Sequence, residues 1–88
     1  MNLMEALDKH KDKIIDIRET YEYEVKHIDG VINIPMTMLL KNPQDFINKK
    51  ETYYLMCKSG NRVKTVIFEL KKEGYKLINI GGIIDYEK

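Results

Sequence analysis

Residues 52–62 read TYYLMCKSGNR, and this stretch decides the fold. Its first five residues combine a β-branched residue, aromatic residues and apolar side chains, which predicts a buried strand. A helix is predicted from about residue 62 to residue 73, because apolar residues recur there on one helical face. That stripe consists of Val63, Val66, Ile67 and Leu70. A strand that leads through a short loop into a helix is typical of α/β folds.

The same alternation continues on both sides of this stretch. Apolar, β-branched runs predict further strands at residues 13–17, 31–34 and 76–80. Helical spacing or capping residues predict short helical segments at residues 3–7, 19–25, 36–40 and 42–47. In the first, Leu3, Met4 and Leu7 share a face; in the last, Asn42 is the predicted cap. We therefore expect one α/β domain over residues 1–88, with a parallel sheet flanked by helices and a glycine turn at residues 81–82 into a short tail.

Two loops follow the carboxyl ends of predicted strands, at residues 16–19 and 57–62. Functional sites of open parallel sheets lie at that end of the strands, so the chemistry is expected between these loops. Cys57 would lie between a strand and the amino terminus of a helix, whose free N–H groups and dipole stabilise a thiolate. Gly60 allows the backbone to turn its N–H groups inward around an anion. The alternative, a merely buried cysteine, is less consistent with the glycine, the arginine and the helix that follow.

Length and composition narrow the functional classes. The 88 residues carry 15 basic and 14 acidic side chains, whereas a nucleic-acid-binding surface usually shows a clear basic excess. No apolar stretch approaches the about 20 residues of a transmembrane helix, and the charged amino terminus is unlike a signal peptide. One cysteine forms no internal disulfide, and with two separated histidines it does not match a zinc site. We expect a cytoplasmic protein with no nucleic-acid or membrane partner, no metal and no cofactor.

Two ordered sets of motifs resemble rhodanese-like domains. The first half carries DIRE, EY, HIDG and NIP at residues 16–19, 22–23, 27–30 and 33–35. The second half carries CKSGNR, GY and GG at residues 57–62, 74–75 and 81–82. The resemblance covers nearly the whole chain from residue 14 onward. Each motif alone is weak, but the ordered set at similar spacing is specific.

The resemblance implies a rhodanese-like fold with four or five parallel strands and a sulfurtransferase whose cysteine alternates between thiolate and persulfide. Cys57 is then the catalytic nucleophile, which takes sulfur from thiosulfate, polysulfide or another anionic or persulfide donor. A thiol, cyanide or a carrier protein accepts that sulfur. The active-site loop that holds the anion consists of Lys58, Ser59, Gly60, Asn61 and Arg62. Within it, Arg62 would brace the loop and add positive charge, and Lys58 would attract the donor.

Two alternatives stand beside this interpretation. Related cysteine phosphatases also place a thiolate and an arginine around an anion, but with five residues between them, whereas four separate Cys57 from Arg62. The shorter loop suits one additional sulfur better than a phosphate, and it contains no carboxylic acid to protonate a leaving group. The other alternative is a non-catalytic binding or sensing module. Rhodanese-like domains without activity usually lack the cysteine, which this chain keeps.

The residues around the loop leave further questions open. Asp16 could pair with Arg62 and hold the loop, or it could pair locally with Arg18 or cap the next helix. His27 is interpreted as a structural residue that fixes its turn through a hydrogen bond. Val63 stands where many family members have a small or hydroxyl residue. The chain also starts late, so the first edge strand typical of the family is expected to be missing, with the opening helix or a partner covering that edge.

Overall fold

The computed structural model describes residues 1–86; residues 87 and 88 of the predicted domain lie outside the described residues. Its strands are β1 (Ile14–Asp16), β2 (Ile32–Asn33), β3 (Thr52–Cys57) and β4 (Lys76–Gly82). They form one parallel sheet in the order β2-β1-β3-β4. The predicted α/β class, with a parallel sheet of four strands, is confirmed.

Helices flank this sheet. They are α1 (Leu3–Lys9), α2 (Thr20–Val25), α3 (Met36–Lys41), α4 (Asn61–Lys71) and α5 (Ile83–Tyr86), with 3-10 turns at Lys11–Lys13 and Pro43–Asp45. As predicted, Asn42 lies at the N-cap position of the second turn and Pro43 begins it, but the Asn42 side chain makes no capping hydrogen bond. No helix within residues 1–86 is long and apolar enough to cross a bilayer.

The side chains of β3 alternate between two hydrophobic clusters, one on each face of the sheet. Leu55 and Cys57 belong to the cluster that α4 completes, and Met56 belongs to the cluster that α1 completes. The predicted stripe of α4 is confirmed: its buried members are Val63, Val66 and Leu70, with Ile67 partly buried. The strand that carries the cysteine is therefore packed on both sides.

The buried face of α1 differs from the prediction. Leu3 and Ala6 are buried and Leu7 is partly buried, whereas Met4 is 58% exposed. Positions three and four residues apart share a helical face, while the next residue after Leu3 is rotated away from it. The small side chain of Ala6 was overlooked because it carries little hydrophobic signal.

The end of the described chain also departs from the prediction. The glycine pair does not turn into a tail, since β4 continues through Gly82 and α5 follows directly. Gly82 pairs with Cys57 after an irregularity in the ladder, and the N–H of Ile84 donates to the carbonyl of Lys58 at 3.1 Å. β4 is one of the two edge strands, β2 being the other, and within residues 1–86 no strand pairs with the outer edge of β4. The opening helix, α1, packs on one face of β4.

Candidate active site around Cys57

Cys57 ends β3 and lies just ahead of α4. Its side chain is 1% exposed and forms no disulfide, and its Sγ accepts a hydrogen bond from the N–H of Gly60 at 3.1 Å. Gly60 has a φ of 97°, a left-handed conformation that favours glycine, and this conformation turns its N–H back toward the sulfur. Because α4 begins at Asn61, the sulfur lies near free N–H groups and the positive end of the helix dipole. The arrangement stabilises negative charge on sulfur.

Three predicted loop residues form the exposed rim of the site: Lys58, Ser59 and Asn61. Within residues 1–86, the side chains of Ser59 and Asn61 make no hydrogen bond and Lys58 makes no ion pair. Their donors and the Lys58 ammonium remain available to an anion.

The partner of Arg62 is Glu22 on α2. The two guanidinium nitrogens donate to the two carboxylate oxygens at 2.7 and 3.1 Å. Hydrogen bonding to Arg62 lowers the pKa of Glu22 to about 2, and the same contact raises the pKa of Arg62. Glu22 also accepts from the N–H of Glu19 in a capping box. Arg62 thus ties the start of α4 to α2. The sequence predicts Glu22 only as part of the EY motif at residues 22–23, not as the partner of Arg62.

Asp16 pairs with Arg18 and not with Arg62. The guanidinium of Arg18 donates to both Asp16 oxygens at 2.9 to 3.1 Å, and the Arg18 backbone N–H donates to Oδ1 at 3.0 Å. Arg18 also donates to the carbonyl of Lys26 at 2.7 Å. Both members of the pair are buried. Of the two predicted pairings, the local one is therefore correct, and the pair fastens the end of β1 to the end of α2.

The strand β4 supports the loop from behind. Asn79 donates from Nδ2 to the carbonyl of Gly60 at 3.1 Å and accepts from the N–H of Gly81 at 2.9 Å. Gly82 lies so close to the loop that a Cβ there would be 2.2 Å from the carbonyl carbon and oxygen of Lys58. The sequence predicts a turn at the glycine pair, not a support of the loop. Nothing in the sequence pointed to Asn79.

A comparison with protein families decides the assignment. The family model for the rhodanese-like domain matches residues 2–87 of this chain. The chain belongs to the rhodanese-like family. This agrees with the four-stranded parallel sheet and with the ordered motifs that include the Cys57 loop.

Several rhodanese-like relatives and structures are similar to the chain. The putative sulfur carrier protein YrkF of Bacillus subtilis is 38% identical over 68 residues, which cover 76% of this chain and 36% of that protein. The probable adenylyltransferase/sulfurtransferase MoeZ of Mycobacterium tuberculosis is 34% identical over 83 residues, covering 85% of this chain and 20% of that protein. The chain therefore spans about a third and a fifth of these relatives. A crystal structure from Staphylococcus saprophyticus is 30% identical, with a TM-score of 0.82 over 98% of this chain and 90% of that one.

His27 of this rhodanese-like domain contacts Tyr23 at the end of α2. Its Nδ1 lies 2.8 Å from the carbonyl oxygen of Tyr23, and the two rings stack with centroids 4.0 Å apart. The hydroxyl of Tyr23 in turn donates to the carbonyl of Val31. Burial of the phenol raises the pKa of Tyr23. These contacts confirm the structural interpretation of His27, since they fix the turn between α2 and β2.

Proposed function

We propose that this rhodanese-like domain is a sulfurtransferase that carries a sulfane sulfur on Cys57 as a persulfide. The observation that carries the proposal is the hydrogen bond from the Gly60 N–H to Sγ at the amino end of α4. This geometry stabilises the negative charge of a thiolate, and the adjoining N–H groups suit the additional charged sulfur of a persulfide. The relatives named as a sulfur carrier and as a sulfurtransferase support the same chemistry.

The loading step needs no oxidant other than the donor. The Cys57 thiolate attacks the outer sulfur of thiosulfate, and a new S–S bond forms. The bond between that sulfur and the sulfonate sulfur breaks, and sulfite leaves with the bonding electron pair. The negative charge then lies on the outer sulfur of the persulfide, one S–S bond of about 2 Å beyond Sγ. The exposed ammonium of Lys58 attracts the dianionic donor.

In the unloading step, Cys57 is the leaving group instead of the nucleophile. A nucleophile attacks the outer sulfur of the persulfide, the S–S bond breaks, and its electron pair returns to Cys57 as a thiolate. Cyanide would leave as thiocyanate, and a thiol or a carrier protein would leave as its own persulfide. The cycle needs a free Cys57, which fits a reducing compartment, so the proposal includes a cytoplasmic location.

The position of Arg62 argues against the phosphatase alternative. A phosphatase needs its loop arginine to bind the phosphate in the transition state. Here the two terminal nitrogens of the Arg62 guanidinium donate to the Glu22 carboxylate at 2.7 and 3.1 Å, which places a counter-charge on Arg62. The four-residue spacing between Cys57 and Arg62 points the same way. We therefore favour transfer of sulfur.

The test is the intact mass of the reduced protein after incubation with thiosulfate or polysulfide. We expect the wild type to gain the mass of one sulfur atom and to lose it on addition of cyanide, with release of thiocyanate. Cys57→Ser is the matched control and should gain nothing. A folded wild type with an alkylatable thiol that takes up no sulfur from either donor would reject the proposal in favour of a binding module.

A further inference from the structure

An apolar groove lies between α4 and the open edge of β4. It consists of two adjoining depressions of about 380 and 290 Å³, which share Ile67 and Lys71. Its apolar lining consists of Ile67, Phe68, Tyr75 and Leu77. Phe68 is 65% exposed, although it lies on the helix that supports the candidate site. A large exposed aromatic beside an unpaired strand edge is typical of an interaction surface.

The groove is surrounded by positive charge. Lys64, Lys71 and Lys76 line it and are exposed, and none of them forms an ion pair within residues 1–86. The nearby Glu69 is engaged by Lys72 at 3.6 Å. Three lysines without carboxylate partners complement an acidic ligand. They also disfavour pairing of two copies through this edge, because like charges would meet.

The groove leads to the Cys57 loop. Asn79 lines one of the two depressions and also donates a hydrogen bond to the carbonyl of Gly60. It precedes Gly82 by three residues, about 10 Å along a strand, and Gly82 pairs with Cys57. A chain that follows the outer edge of β4 to Gly82 therefore ends two strand spacings, about 10 Å, from the end of β3. Cys57 is 1% exposed, so a partner must approach it closely to exchange sulfur.

We propose that this groove docks an acidic protein segment, extended along the outer edge of β4, whose end reaches the Cys57 loop. Alternate N–H and C=O groups of an edge strand point outward and can pair with an added strand. Carboxylates of that segment meet the three lysines, and its apolar side chains cover Ile67 and Phe68. The proposal that a segment docks here depends only on the features of the groove. Only the role of that segment as a sulfur acceptor or donor rests on the proposed function.

The contacts of Phe68 favour protein over RNA as the ligand. The ammonium of Lys72 lies 4.2 Å from the centroid of the Phe68 ring. That face of the ring is therefore occupied, which disfavours stacking of a nucleobase on it. The apolar floor formed with Ile67 and Leu77 suits aliphatic side chains.

The probe for this inference is a synthetic peptide of alternating valine and glutamate, titrated into isotope-labelled protein and followed by NMR chemical shifts. The matched probes are a peptide of alternating valine and lysine and a single-stranded RNA. We expect the acidic peptide alone to bind, with shifts confined to α4, β4 and the Cys57 loop. Tighter binding of the RNA, equal binding of the basic peptide, or no binding of the acidic peptide would overturn the inference.

Charge reversal at the groove supplies the second measurement. Lys64→Glu combined with Lys71→Glu is expected to lower the affinity for the acidic peptide at least tenfold. The control combines Lys9→Glu and Lys41→Glu, at exposed sites on α1 and α3, and should leave this affinity unchanged. Equal weakening in both double variants would mean nonspecific attraction. Loading with sulfur from thiosulfate should be unchanged in the groove variant. A wild type that binds the peptide but takes up no sulfur would defeat the proposed function and leave the docking surface standing.

Discussion

Replacing Glu22 with Gln removes the negative charge that holds Arg62 beside the Cys57 loop. Hydrogen bonding to Arg62 lowers the pKa of Glu22 from its usual 4.5 to about 2. A pKa lowered this far corresponds to about 3 kcal/mol of stability. The side chains of Glu22 and Arg62 are 20% and 33% exposed, so solvent screening reduces the contribution to about 2 kcal/mol. We expect Glu22→Gln to lower the free energy of unfolding by about that amount at neutral pH.

The wild type and Glu22→Gln differ in free energy of unfolding, and the direction of the pKa shift of Glu22 determines how this difference depends on pH. The pKa of Glu22 is lower in the folded state than in the unfolded state. The unfolded state therefore binds more protons between pH 4.5 and about pH 2. The contribution of Glu22 is complete above this window and is lost as the pH falls through it. About half of the difference between wild type and Glu22→Gln should be gone by pH 3.

Urea unfolding followed by circular dichroism measures this difference from pH 7 down to pH 3. Glu24→Gln is the matched control, because Glu24 is exposed on the same helix and forms no ion pair within residues 1–86. It should leave the free energy of unfolding nearly unchanged. Equal losses in the two variants, or a loss for Glu22→Gln that does not shrink in acid, would refute the ion-pair account. Sulfur uptake by Glu22→Gln should also slow, since Arg62 no longer anchors the start of α4.

Three further substitutions test the surroundings of the thiol. Gly82→Ala places a Cβ 2.2 Å from the backbone carbonyl of Lys58 and should lower the free energy of unfolding, measured by thermal unfolding, by about 3 kcal/mol. A nearly unchanged free energy of unfolding would contradict the close approach. Asp16→Asn leaves the buried Arg18 without its counter-charge and should cost about 3–5 kcal/mol. Sulfur uptake per folded molecule should not change, and a specific loss would revive a direct role in the loop. Gly60→Ala forces alanine to a φ of 97°, which should cost at least about 1 kcal/mol and slow uptake from thiosulfate. An unchanged rate would remove the Gly60 N–H from the mechanism.

The Cys57 loop and α4 could be predicted because their signals are local. A strand-forming run, a glycine suited to the left-handed conformation and an apolar stripe all occur within residues 52–73. The partner of Arg62 could not be predicted, because Glu22 lies 40 residues earlier and several other carboxylates are equally plausible by sequence. Only the tertiary fold, which brings α2 within reach of Arg62, selects it. Pattern alone therefore located the thiol but not the ion pair beside it.

The glycine pair illustrates a second limit. Two adjacent glycines predict a turn by local conformational freedom, yet Gly82 lies in a strand. Its lack of a side chain matters because the Lys58 backbone lies against it, and that contact depends on the register between β3 and β4. Met4 and Ala6 show the same limit on α1, since the neighbouring sheet decides which residue is buried.

The support of the loop by β4 and α5 also bears on biosynthesis. Asn79, Gly82 and Ile84 hold the loop backbone, and all three leave the ribosome after Cys57 and α4. A nascent chain that has reached only α4 thus presents its thiol without the contacts that enclose it. During that interval the sulfur is open to oxidation or to capture by cellular thiols. The length of this interval therefore depends on how quickly β4 is translated and joins the sheet.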